Sequence, residues 1–321
     1  MKSSRRDFLK FAAAAALLPA ARGAGGNETS SASHPVRMGA PLFFSDEDPE
    51  AWALRARQLG YGAVYAPGCR LDDRARIDAI TAAASERDIV ISEVGRWVNL
   101  MDRDPEKAKK NLDYVTEGLA LADELDARCC VDIAGSMAEE PWFGPDPGNL
   151  TDEFFDRAVE NARKIIDAVK PRRTKFAYEM SGWAYPYDVD SYLRLIAAID
   201  RPQFGVHLDI CNIVNSPQKF WGTTGLINDV FDRLGGMLVS CHAKDLHWEA
   251  EKNIHFVECV CGEGSVDWGT ALRRLAALPT DVPLMIEHMP GEAAYLRSRD
   301  NLKEFARENG VEIFGSKEQV L

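Results

Sequence analysis

Basic charge is in short supply in this chain: 38 Lys and Arg face 50 Asp and Glu, a formal net charge of −12 at pH 7. An acidic protein repels phosphate backbones, which argues against nucleic acid as a partner. No apolar stretch reaches the roughly 18 residues that span a bilayer, so stable membrane insertion is not expected. The seven cysteines are odd in number, and no disulfide pairing follows from them. Cys129, Cys211 and Cys241 fall in or beside apolar runs, where a buried thiol is the ordinary outcome. Cys259-Val-Cys261 lacks the second pair that a metal site of that kind would use. A Gly-rich phosphate turn is missing after the first apolar run, where Ala40-Pro41-Leu42-Phe43 stands instead; an open dinucleotide-binding sheet is therefore disfavoured. No internal repeat, linker or second domain is visible.

What the chain does have is strict alternation. Short apolar runs that read as strands lie at 36–44, 63–66, 89–94, 129–134, 175–180, 204–209, 237–243 and 284–288. Helical periodicity follows each one, at 49–59, 72–87, 105–125, 152–169, 188–199, 224–234, 268–278 and 293–309. Asp104-Pro105-Glu106 and Thr151-Asp152-Glu153 carry helix-start signals: an N-cap acceptor, proline at N1 in the first case, and acids in the first turn. Eight strand-then-helix units predict a single-domain α/β fold, a (β/α)8 TIM barrel over residues 36–315. The longest connections follow strands four to seven. All of them open on the face where such barrels carry their active sites.

Four of the apolar runs end on a group that can ligate or transfer a proton: Glu179, Asp209, His242 and Glu287. Residues i and i+2 of a strand share a side, so all four strands can aim one such group at the barrel axis from a similar height. Two glutamates, an aspartate and an imidazole make a donor set for one divalent metal: Mn²⁺ first, with Mg²⁺, Co²⁺ or Zn²⁺ as alternatives. By the same alternation, His207 lies one layer below Asp209 and is expected to be a hydrogen-bonded core histidine. His288 alternates outward from Glu287 and is expected to pack against helices. Lys244 shares the side of His242, to contact a substrate oxygen or to pair with a nearby acid.

This constellation resembles the xylose isomerase-like family of sugar isomerases and epimerases, which also includes endonuclease IV. The likeness covers the chain from the first strand to the last helix. Further pieces that carry it are His242-Ala-Lys-Asp245 and Gly262-Glu-Gly-Ser-Val-Asp267. The resemblance implies a metal held by Glu179, Asp209, His242 and Glu287. It also implies catalysis by Glu287, which takes a proton from a sugar carbon beside a carbonyl, and Glu179, which returns one from the other face. Two positions depart from the pattern of the family's ketose 3-epimerases: Asn212 stands where they carry a substrate-binding histidine, and Trp248 where they carry an arginine.

The expected activity is therefore metal-dependent sugar epimerisation or isomerisation through an enediolate. The nearest alternative keeps the metal and expels the aglycone of a 3-keto glycoside. A non-catalytic carbohydrate-binding barrel is a third reading. An endonuclease IV-like nuclease is disfavoured by the acidic balance and by only six histidines. Trp97, Trp142, Trp183, Trp221 and Trp248 fall one each in the loops after strands three to seven, and their flat faces suit a small-molecule carbohydrate partner. Trp52 and Trp268 lie on helices and are expected in the core. Glu93 and Arg96 are candidates for binding substrate hydroxyls, and His247 or His255 for protonating a leaving group.

The N-terminus reads as a separate element. Ser4-Arg5-Arg6-Asp7-Phe8-Leu9-Lys10 precedes an apolar run over 11–20 and small residues to Gly26. That arrangement resembles a twin-arginine export signal over 1–26, followed by a polar leader over 27–35, and implies a periplasmic protein. Oligomeric state is left open, a homo-oligomer included.

Overall fold

A computed structural model describes residues 33–43, 48–250 and 253–315, all within the compact unit Ala32–Leu321. The export signal expected over 1–26 and most of the leader expected over 27–35 lie outside the described residues. Ten strands follow in chain order: β1 (Met38–Gly39), β2 (Ala63–Tyr65), β3 (Val90–Gly95), β4 (Cys129–Asp132), β5 (Lys175–Glu179), β6 (Phe204–Asp209), β7 (Leu238–Ala243), β8 (Asp245–Trp248), β9 (Phe256–Cys259) and β10 (Leu284–Ile286). The helices are α1 (Pro49–Gln58), α2 (Arg74–Glu86), α3 (Pro105–Glu124), α4 (Asp152–Val169), α5 (Val189–Ile199), α6 (Pro217–Trp221), α7 (Thr223–Leu234), α8 (Trp268–Ala276) and α9 (Glu292–Glu308). Eight strands form one parallel sheet in the order β1-β10-β7-β6-β5-β4-β3-β2. At the seam the Gly62 N–H donates to the Met38 carbonyl at 3.0 Å and draws β1 and β2 together. The fold is the expected TIM barrel, an inner ring of strands with helices outside.

Local chemistry sets the helix starts. Asp104 accepts from the N–H groups of Glu106 and Lys107 with Pro105 at the first turn, and Thr151 accepts from Phe154. Asp188 and Ser191 form a reciprocal capping box on α5. The hydroxyl of Tyr192 on α5 reaches the carbonyls of Tyr178 at 2.6 Å and Gly205 at 3.0 Å, and accepts from the His207 N–H at 3.2 Å. One side chain thus locks a helix onto β5 and β6, the two strands that end on Glu179 and Asp209.

Three places differ from expectation, the short helix α6 after β6 among them. The first strand, expected over 36–44, is only Met38–Gly39, with Val36 bridging to Ile313; residue 44 lies outside the described residues. Pro41 has no N–H to continue the ladder. Gly39 is required where it stands, because a Cβ there would lie 2.3 Å from the Ala63 carbonyl oxygen and 2.7 Å from Met285. The loop after β7 is not irregular: β8 and β9 pair as an antiparallel hairpin in the register Asp245↔Cys259 to Trp248↔Phe256.

Asp245 holds that hairpin down. Its buried carboxylate accepts from the N–H groups of Leu246 at 2.9 Å, Gly262 at 2.9 Å and Val266 at 3.0 Å, and from the Trp268 indole at 3.0 Å. The His-x-Lys-Asp and Gly-x-Gly-x-Val-Asp segments are thus two halves of one brace. Gly264 completes it, since a Cβ there would lie 2.2 Å from the Asp245 carboxylate. Trp52 and Trp268 are in the core as expected, and Cys129, Cys211, Cys241 and Cys261 are buried thiols. No described helix is long and apolar enough to cross a membrane.

Candidate active site

The four strand-end groups converge. Glu179, Asp209, His242 and Glu287 each offer a ligand atom, and these atoms lie within 4.8 Å of one another at the carboxyl ends of β5, β6, β7 and β10. Register explains part of this: Asp209 pairs with His242 across β6 and β7, and the Glu287 N–H donates to the Ala243 carbonyl at 3.1 Å just past the end of β10. The His242 Nδ1 lies 2.8 Å from Glu179 Oε1 and 3.1 Å from Glu287 Oε2, so both glutamates flank one imidazole edge. Asp209 Oδ1 accepts from the backbone N–H groups of Cys211 at 2.9 Å and Asn212 at 3.2 Å. The amide of Asn212 reaches Glu179 Oε1 at 3.4 Å.

Behind this group sits a second layer. His242 Nε2 lies 2.9 Å from Glu93 Oε1, and the other Glu93 oxygen lies 2.8 Å from His207 Nε2, with Glu93 and His207 almost wholly buried. Glu93 was a candidate for binding substrate hydroxyls; its place within β3 aims it into the barrel, where it orients His242. His207 is the expected core histidine. Its partnership with Glu93 fixes which nitrogen of His242 is left to face the cluster.

Lys244 is buried and heavily paired: Nζ lies 2.7 Å from Asp209 Oδ2, 2.6 Å from Glu287 Oε1 and 3.1 Å from Glu258 Oε1. It pairs with acids, as one of its two expected roles has it, and it also lines the cavity above the cluster. The Asp209 Oδ2 contact is an ion contact without hydrogen-bond alignment, so that buried oxygen has no hydrogen-bond donor. Electrostatics follow from burial and crowding. Burial pushes the Asp209 carboxyl up to about 7 against the pull of Lys244, with Glu287 and Glu179 adding to the rise. Burial would lower His242, but Glu287, Glu93 and Glu179 raise it well above the usual imidazole range. Burial likewise works against ionised Glu287, yet His242 and Lys244 hold it well below the usual carboxylate range.

These residues fit a divalent cation. Three carboxylates and one imidazole nitrogen from four strand ends converge, one carboxylate oxygen is buried without a donor, and His242 is oriented from behind by a carboxylate, as metal-bound histidines usually are.

Other candidates are placed as follows. Trp97, Trp142 and Trp183 line the cavity, as do Asn212 and Lys244. Trp248 does not: it stands at the end of β8 and is 56% exposed. Trp221, at the end of α6, is 74% exposed and also outside. Arg96 is turned to the helical layer, its guanidinium 4.5 Å from the Tyr114 ring on α3, because it follows Gly95 at the end of β3 and faces outward. His255 lines the cavity, while His247 sits in β8.

His288 corrects the sequence reading. It lines the cavity with its Nδ1 3.0 Å from Glu258 Oε2 and 3.3 Å from Lys244 Nζ. Strand alternation fails there because β10 ends at Ile286 and His288 takes a left-handed backbone, φ +56°. Glu258, delivered by β9, was not foreseen. The short run Phe256-Val-Glu-Cys-Val-Cys261, rich in apolar and β-prone residues after a polar stretch, is the signal that would have found its strand.

A single parallel barrel with a cluster of carboxylates and histidine at the carboxyl ends of its later strands is the architecture of a TIM-barrel active site. The family model for the xylose isomerase-like TIM barrel matches residues 53–305, and the chain belongs to that family. No curated protein matches the sequence. Among solved structures, it is similar to 3-keto-D-glucoside 4-epimerase from E. coli (TM-score 0.61, 15% identity, 84% of this chain and 99% of that one). It is similar also to D-psicose 3-epimerase from Clostridium cellulolyticum (TM-score 0.58, 15% identity, 86% and 100%). Endonuclease IV from Thermus thermophilus shares the fold as well (TM-score 0.63, 17% identity, 85% and 99%).

Proposed function

We propose that this protein is a metal-dependent sugar epimerase or isomerase that moves a proton between Glu287 and Glu179. The observation that carries the reading is the placement of these two carboxylates on one edge of His242, at 2.8 and 3.1 Å, in the floor of one cavity. Glu179, Asp209, His242 and Glu287 would hold the cation, with Mn²⁺ preferred on the mix of carboxylates and one imidazole. When bound, a divalent cation supplies positive charge beside a carbonyl and its neighbouring hydroxyl. Glu287, kept ionised by Lys244 and His242, accepts the proton from the carbon next to the carbonyl. Glu179 donates one to the opposite face. Asn212 steadies Glu179, and Glu93 keeps His242 turned. The similar structures named above include two epimerases, one of them for a 3-keto-D-glucoside, which supports a sugar substrate.

A second reading has its own support. The cavity is about 960 Å³ and widely apolar in its lining, more than one sugar ring fills. The same proton abstraction from a 3-keto glycoside can then be followed by departure of the aglycone with its bonding electron pair, leaving an unsaturated keto sugar. Export by the twin-arginine route, and so a periplasmic location, belongs to this proposal. The test is to incubate free ketoses and 3-keto glycosides with the Mn²⁺-loaded protein in D2O and follow them by NMR. Deuterium uptake with an epimer formed supports the first outcome, and released aglycone the second. No exchange with any substrate or divalent metal would leave a binding barrel.

A further inference from the structure

Polarity in the cavity is divided. The charged side chains of the floor, Glu179, Lys244, Glu258, Glu287 and His288, are bound to one another or to neighbouring floor groups at 2.6–3.5 Å. Above them the wall is made by Trp142, Phe143, Trp183, Ile133, Val214 and Phe256. The wall has few polar side chains: Ser181, Asn215 and His255. Ser181 Oγ accepts from the Trp183 N–H at 3.3 Å within its own loop, and His255 Nδ1 lies 3.7 Å from Glu249.

This wall is built rather than left over. Trp142 and Phe143 come from the loop after β4, Trp183 from the loop after β5. Their backbones are tied together by one fully buried side chain. The Asn149 amide donates to the carbonyls of Gly144 and Trp183, each at 3.1 Å, and its oxygen accepts from the Met137 N–H at 2.7 Å. Ser136 Oγ adds a bond to the Gly144 carbonyl at 2.7 Å. Yet the rings so positioned gain little from packing: Phe143 is 53% and Trp183 60% exposed. Trp142 and Phe143 stand edge to face, centroids 5.5 Å apart at 87°. Large aromatic groups held in water on a rigid frame beside a site mark a ligand surface.

Resting on the reading of the floor as the sugar end, we infer that this wall is a subsite for an aromatic aglycone, so that the substrate class is an aryl glycoside with its sugar ring on the floor. A second sugar ring suits it less well, because hydroxyls need donors and acceptors beside the flat face, and the wall offers few. Flat aromatic ligands need none, and they stack on or meet edge-on the rings of Trp142, Phe143 and Trp183. The cavity volume accommodates both parts at once.

The test is binding of a matched pair, 4-nitrophenyl β-D-glucopyranoside and methyl β-D-glucopyranoside, to the Mn²⁺-loaded protein by isothermal titration calorimetry. The aryl glucoside should bind about tenfold tighter or more, given the usual worth of one to two aromatic contacts. Phe143→Ala and Trp183→Ala should each lower the aryl-to-methyl ratio, and the double variant should bring it close to one. The ratio is taken within each protein, so a loss of folded fraction cancels. A wild-type ratio near one, binding of neither probe, or a ratio unmoved in the double variant overturns the subsite. The 3-keto forms of both probes, followed in D2O, form a separate arm. Absence of exchange or cleavage there removes the proposed chemistry while leaving the binding ratio to stand on its own.

Discussion

Glu93 shows what one residue does here without touching a substrate. It engages imidazoles with both oxygens, His242 at 2.9 Å and His207 at 2.8 Å, and so presents His242 Nδ1 to the cluster. Glu93→Gln keeps the volume but gives one histidine an amide N–H to face. Affinity for Mn²⁺, measured by titration calorimetry, should fall about 10–100-fold. Activity at saturating metal should largely return; unchanged affinity would show that Glu93 does not orient the ligand. Legibility at this scale was uneven for a physical reason. Glu179, Asp209, His242 and Glu287 could be picked out because each closes its own apolar run, and a strand's period of two says where it points. The Glu93–His207–His242 relay joins β3, β6 and β7, and no local pattern announces a contact across a barrel. His288 was misread because one left-handed residue, φ +56°, cancels the alternation on which the reading stood.

Among the elements, the β8–β9 hairpin was missed while the eight βα units were legible. The units carry long periods and helix caps, whereas the hairpin strands are four residues each. Their anchor, Asp245, accepts from four donors whose partners lie up to 23 residues away. Asp245→Ala should destabilise the fold by at least about 3 kcal/mol, since each buried donor left without a partner costs about 1–3 kcal/mol. Urea unfolding reads this directly, and a loss under about 1 kcal/mol, the least that one such donor costs, would deny the brace. At the barrel seam, Gly39→Ala should cost about 1–3 kcal/mol, because the new methyl meets the Ala63 carbonyl and Met285. The short first strand is also explained there: sequence showed an apolar run over 36–44, but Pro41 ends the ladder early.

For the whole molecule, alternation of strand and helix was enough to read the barrel and the face that bears the site, but not the divided cavity, which is assembled from loops of several units. A cation in the cluster should stabilise the entire barrel by mass action, about 2.7 kcal/mol at a concentration of about 100 times its Kd. Mn²⁺ should therefore raise the Tm by several degrees and a chelator should reverse it. An unchanged Tm would show that the cluster does not hold the ion. Fusion of residues 1–26 to a reporter that needs folded export should send it to the periplasm, and Arg5→Lys with Arg6→Lys should stop it. The central claim is that Glu287 removes a proton from a carbon-bound position, and its most direct measurement is the rate of deuterium uptake by a keto sugar in D2O. With Mn²⁺ saturating, Glu287→Gln should slow that uptake by about 10²–10⁴-fold relative to the wild type. Uptake at the wild-type rate in that variant would contradict the account.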